Sequence, residues 1–187
     1  MKSKILIIAA LIIALPGYLF AQQASGELKT KQEKGYFNIT EFGFFTGNSS
    51  IRIENRGTGS TVNIYSLRTI NGIFLDRQFS LGIGIGLDGV DIKKYGFHNT
   101  FNAFADLRYY FKANEDGFFV YTDVGSAIKI ADNFEKGLLL NLGIGRKISL
   151  SDTFMIVPSI GYNQQDFKTG IIKFSNETLA LKIGVIF

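Results

Sequence analysis

The sequence has no cysteine, two prolines and one histidine in 187 residues, and no stretch of the domain carries a helical period. The absence of cysteine rules out disulfides and also an acylated cysteine behind the leader, so the chain is no lipid-anchored lipoprotein. One histidine and no thiol leave too few ligands for a closed transition-metal site. Pro16 belongs to the leader, which leaves Pro158 as the one ring able to interrupt a strand ladder. A dominant charge is missing too. The formal charge is +4, but Lys2 and Lys4 sit in the leader. Their removal lowers it to +2, so nothing in the charge argues for nucleic acid.

The leader itself is easy to read. Lys2 and Lys4 form a basic n-region, Ile5 to Leu15 an apolar h-region, and Pro16-Gly17 breaks the helix ahead of Ala21. The apolar run is shorter than the roughly 20 residues a membrane helix needs. Residues 1–21 are therefore expected to be a cleavable signal peptide, despite Leu19 where a small residue is usual. Residues 22–34 are polar and aperiodic, a flexible periplasmic lead-in. Residues 35–187 form one domain by length. Phenylalanine (18), tyrosine (8) and glycine (21) are plentiful, a mixture suited to long strands joined by tight turns.

Eight apolar stretches follow with period two: Tyr36 to Phe45, Thr61 to Leu75, Phe79 to Leu87, Thr100 to Phe111, Phe118 to Ile130, Leu138 to Ile148, Phe154 to Tyr162 and Thr178 to Phe187. Short connections (Asp76 to Gln78, Lys112 to Gly117, Ser149 to Thr153) alternate with longer polar ones (Gly47 to Ser60, Asp88 to Asn99, Asn163 to Asn176), with Ala131 to Lys136 the exception among the long set. Short turns on one rim and loops on the other are the habit of outer-membrane barrels. The first hairpin turn has two candidate positions, Asn71-Gly72 or Asp76 to Gln78.

The position of the charges decides which face is the core. Phe101, Ala103, Ala105, Leu107, Tyr109 and Phe111 share one face, opposite Asn102, Phe104, Asp106, Arg108 and Tyr110. Leu138, Leu140, Leu142 and Ile144 oppose Asn141, Gly143, Gly145 and Lys147, and Phe79 to Leu87 opposes Ser80, Gly82, Gly84 and Gly86. A soluble sandwich would cover its polar face with long charged side chains; this polar face is sparse and rich in glycine. It suits the lumen of a narrow barrel, where small residues leave room for large ones. A cation facing lipid at the midplane costs about 2–4 kcal/mol. Arg108, Lys129, Lys147 and Lys182 should therefore point inward, where Asp106 and Asp123 can pair with them. Two strands read less cleanly, since Glu41, Asn38 and Thr40 divide between faces and Arg68 lies among apolar neighbours. A β-bulge would reset the faces there, and Pro158 should bring a bulge or a lost bond.

Three motifs invite chemistry. Gly84-Ile85-Gly86-Leu87-Asp88-Gly89 matches the dinucleotide fingerprint, but no helix opens after it. Leu142-Gly143-Ile144-Gly145 repeats the pattern as a structural element. His98, with Asp88 and Asp91 earlier in the same expected outward loop, could serve an acyl-modifying enzyme with a nearby Ser or Thr; no tight pattern joins them, and a solvated loop histidine is expected. Tyr36, Phe45, Phe79, Tyr109, Tyr110, Phe111, Phe118, Phe154 and Tyr162 lie close to turns and are expected as interfacial girdles.

The leader, the eight stretches and the closing row Leu179, Leu181, Ile183, Val185 and Phe187 together resemble the small eight-stranded outer-membrane β-barrel (porin-like) family of Gram-negative bacteria, over essentially the whole mature chain. The resemblance implies an all-β fold: an eight-stranded antiparallel transmembrane up-and-down barrel behind a cleavable signal peptide. It implies that the terminal row is read as an address by the barrel assembly machinery, with periplasmic chaperones, outer-membrane lipid and lipopolysaccharide as partners and a monomeric state. It brings no catalytic residue, cofactor or metal. The expected function is non-enzymatic, an envelope barrel with a filled lumen and exterior loops. A narrow solute channel, a lipid-modifying enzyme and a secreted lipocalin-like barrel are the alternatives.

Overall fold

Strands dominate because apolar side chains recur at every second position, a spacing that a strand can gather on one face and a helix cannot. A computed structural model describes residues 35–53, 56–112, 116–128, 136–150 and 154–186. It contains β1 (Gly35–Ile53), β2 (Arg56–Phe74), β3 (Phe79–Ile92), β4 (Gly96–Tyr110), β5 (Gly117–Ile128), β6 (Gly137–Ser149), β7 (Met155–Thr169) and β8 (Ile172–Ile186). Each pairs antiparallel with the next and β8 returns to β1, so the sheet closes with no free edge. The signal peptide, the lead-in, Lys129 and Phe187 lie outside the described residues.

The register fixes the shape. From Ile39, cross-strand partners run through Ile70, Gly84, Phe104, Gly125, Leu139, Gln165 and Asn176 and come back to β1 at Ser49, ten residues on. That stagger over eight strands corresponds to a tilt of roughly 40°. The step is even, so one inside and one outside are kept all the way round. The ladder between β1 and β2 is continuous from Gly35↔Phe74 to Ile53↔Arg56. No bulge resets the faces there: Glu41 and Arg68 point inward, and Asn38 points outward. Asn38 is covered by hydrogen bonds from its Nδ2 to Asn71 Oδ1 (3.0 Å) and Thr69 Oγ1 (3.2 Å). At Pro158 the ladder to β6 skips two pairs, with Gly145↔Ser159 and Ile148↔Ile156 in one register on either side. The proline removes bonds without shifting the strand.

The first hairpin turns at Asp76 to Gln78. Asp76 Oδ1 accepts from the backbone N–H groups of Gln78 (2.6 Å) and Phe79 (2.7 Å), an Asx-type turn. Asn71-Gly72 lies inside β2, and the ring of Phe37 would stand 2.4 Å from a Cβ on Gly72. That glycine serves packing.

The three long loops expected from sequence are strand for most of their length. Residues 47–53 and 56–60 belong to β1 and β2, 88–92 and 96–99 to β3 and β4, and 163–169 and 172–176 to β7 and β8. Tight turns close the second and third of these hairpins: Lys94 (φ 75°) with Gly96 (φ 87°), and Gly170 (φ 58°). The reason is an inversion of polarity along the strands. Near the rim that holds the chain ends, large apolar side chains face out, Ile83 being 73% and Phe42 63% exposed. Toward the far rim the outward residues become Asn48, Arg52, Asp91, Asp166, Lys168 and Lys173, while Ile51, Val62, Ile64, Val90, Ile92, Phe167 and Phe174 pack inside. A second inward cluster, including Phe37, Ile39, Ile70, Phe104, Tyr110, Phe119, Val157 and Ile186, fills the near end.

Candidate functional site: a filled and charged lumen

Between these two apolar clusters the barrel holds its charges. Asp106 on β4 accepts from Arg108 Nε, 3.0 Å from each carboxylate oxygen. Arg108 Nη2 reaches Glu41 Oε1 on β1 at 2.8 Å, and Glu41 Oε2 lies 3.0 Å from Lys182 Nζ on β8. Lys182 Nζ is 3.6 Å from Asp123 Oδ2 on β5, the same oxygen is 3.5 Å from Arg68 Nη1 on β2, and Arg68 Nη2 is 3.3 Å from Asp88 Oδ2 on β3. Acids and bases thus alternate in one chain of contacts that crosses the lumen. Aromatic rings line it: Phe45 and Phe104 lie beside the Arg68 guanidinium at 5.2 and 5.4 Å, and the Lys182 ammonium sits 3.8 Å from the Tyr121 centroid.

Asp88 joins this chain to a layer of amides and hydroxyls. Its carboxylate accepts from Ser66 Oγ (2.5 Å), Asn102 Nδ2 (2.6 Å) and Gln165 Nε2 (3.2 Å). Gln165 Nε2 also donates to Thr100 Oγ1 at 2.8 Å, and Asn163 Nδ2 to Thr178 Oγ1 at 3.1 Å. Charges in a low-dielectric interior need partners of this kind, because an unpaired one would cost several kcal/mol.

The structure brings together Asp106, Arg108, Asp123 and Lys182 of the expected lumen residues. Lys147 is also buried and inward, over the Tyr110 ring at 5.4 Å. Glu41, Arg68 and Asp88 complete the network and were not expected in it. Their signal was available as parity: each falls on the inward register once the ladders are aligned. Leu179, Leu181 and Ile183 face out and are exposed, with Val185 on the same face.

His98 is not a solvated loop residue. It pairs with Val90 within β4 and turns inward, with its ring 5.5 Å from Phe167 and 5.2 Å from Phe174. Among the described residues no aspartate lies in that stack, since Asp88 is committed to Arg68 and Asp91 faces outward. The glycine motif lies within β3, where Cβ atoms on Gly84 and Gly86 would meet the Phe104 ring at 2.3 Å and Arg68 Cγ at 2.8 Å. Of the expected girdle, Tyr36, Phe79, Phe111, Phe118 and Tyr162 are on the exposed exterior. Phe45 and Tyr110 are buried inside, because their register positions point to the lumen.

A closed, even-stranded antiparallel barrel with an apolar band on its exterior and a charged, packed interior is the architecture of integral outer-membrane barrels of eight strands. Solved structures agree. The chain matches the outer membrane protein OprG from Pseudomonas aeruginosa at 13% identity and a TM-score of 0.53, over 85% of this chain and 99% of that one. It matches the outer membrane protein AlkL, solved in DMPC lipid bilayers, at 13% identity and a TM-score of 0.55, over 88% and 95%. At this identity the likeness is one of fold. No protein-family model and no curated protein sequence matches the chain.

Proposed function

We propose that this chain is a non-enzymatic integral protein of the bacterial outer membrane, a monomer that acts through its exterior surface. The observation that carries this reading is the packing of the lumen. Asp106, Arg108, Asp123, Asn102, Asn141, Asn163 and Gln165 are fully buried, so the cross-section is filled by side chains. A solute path would leave its lining wet. Residues 1–21 would export the chain. The near rim, which holds Gly35 and Ile186, would then face the periplasm. Leu179, Leu181, Ile183, Val185 and Phe187 would present the address read by the assembly machinery, and the apolar belt would meet lipid and lipopolysaccharide. Packing of His98 between two phenylalanines supports the non-enzymatic reading. Membrane fractionation with gel mobility before and after boiling tests the proposal. A band in the outer-membrane fraction that shifts on heating is expected, and a soluble product without a shift would overturn it.

A further inference from the structure

The far-rim hairpins carry a row of like charges. Lys136 bridges to Lys168, Lys168 pairs with Lys173, and Lys173 pairs with Arg52, so four exposed cations stand side by side on the outward face. Adjacent strands lie about 4.8 Å apart, which gives a row of roughly 15 Å. Like charges placed directly opposite one another destabilise a sheet. None of the four has an ion pair or side-chain hydrogen bond among the described residues.

The row continues onto Gly57, the partner of Arg52. One step toward the belt lies a parallel row of Asp166, Ser175, Ser50 and Gly59. Together they line a concave groove of about 760 Å³. Its glycines are otherwise unexplained: neither Gly57 nor Gly59 has a positive φ, and a Cβ on either would meet nothing within 4 Å. Glycine in a strand interior weakens it and often marks a bulge, a tight bend or a place where a ligand approaches closely.

We propose that this groove binds an anionic saccharide, with phosphate or sulfate groups along Lys136, Lys168, Lys173 and Arg52 and a sugar ring over Gly57 and Gly59. Asp166, which accepts from Ser175 Oγ at 2.6 Å, borders the ring where hydroxyls would lie. The chemistry fits phosphorylated sugars of the membrane's own lipopolysaccharide and acidic glycans of another surface alike. The choice of source rests on the reading that the far rim faces outward from the cell; the binding chemistry does not.

The test is calorimetric titration of the full chain, folded in neutral detergent micelles, with three probes: deacylated phosphorylated lipopolysaccharide oligosaccharide, the same oligosaccharide dephosphorylated, and a heparin-derived hexasaccharide. Binding of at least one anionic probe is expected, weakening about tenfold or more between about 50 and about 300 mM NaCl, with none for the dephosphorylated probe. Lys168→Ser with Lys173→Ser should weaken binding about tenfold while raising the urea midpoint, since it removes repulsion. Gly57→Tyr keeps every charge and should weaken binding by blocking the floor. Failure of both anionic probes, equal binding of the dephosphorylated one, or wild-type affinity in both variants would overturn the proposal. Preference for one anionic probe identifies the source. Separately, Thr58→Cys should react with an impermeant maleimide on intact cells. If it does not, the outward reading of the rim fails while the micelle result stands.

Discussion

Arg108 on β4 donates to Glu41 on β1 at 2.8 Å across the inside of the barrel, although the two strands share no ladder. The contact ties opposite walls together, and the pair has almost no exposed surface.

Breaking that tie should be costly. Arg108→Met leaves Asp106 buried without its cation and is expected to lower stability by about 3–5 kcal/mol. Arg108→Met combined with Asp106→Leu should recover most of the loss. Urea unfolding in detergent, followed by the heat-dependent gel shift, measures both.

The apolar exterior predicts a depth profile. Leu181→Arg places a cation in the middle of the belt and should cost about 2–4 kcal/mol in folding into lipid vesicles, whereas Glu177→Arg, on the same face of β8 but above the belt, should cost about 0–1. Equal costs at the two positions would argue that water covers the whole exterior.

Gly84 lies under the ring of Phe104, which would stand 2.3 Å from an added Cβ. Gly84→Ala should therefore destabilise by about 1–3 kcal/mol through overpacking. Adding Phe104→Leu should relieve much of that, and the double variant's unfolding midpoint decides whether the clash is with this ring.

A filled lumen predicts an electrically silent protein. Reconstituted into planar bilayers, the wild type should give no stepwise conductance. Discrete steps would revive the channel reading.

The lower half of the barrel was legible in the sequence because lipid outside and polar residues inside give a clean alternation, as in residues 100–111 and 138–148. The upper half was hidden because water replaces lipid. Ile51, Ile53, Val90 and Ile92 keep the inward period, but Arg52, Asp91 and their neighbours make the segments resemble loops. Asp88 was lost with them, although it is the acceptor shared by Arg68, Asn102 and Gln165. Glu41 and Arg68 looked like irregularities because their strands pass from one apolar cluster to the other. Pairing register, which no single strand contains, places both inside.

The inversion of polarity along the strands also sets the height of the molecule. Raising the barrel would wet Leu181 and Ile183; sinking it would draw Lys173 and Arg52 into hydrocarbon. Opposite penalties on the two displacements would act as a spring about one level and hold the far-rim hairpins at a fixed elevation above a surrounding bilayer.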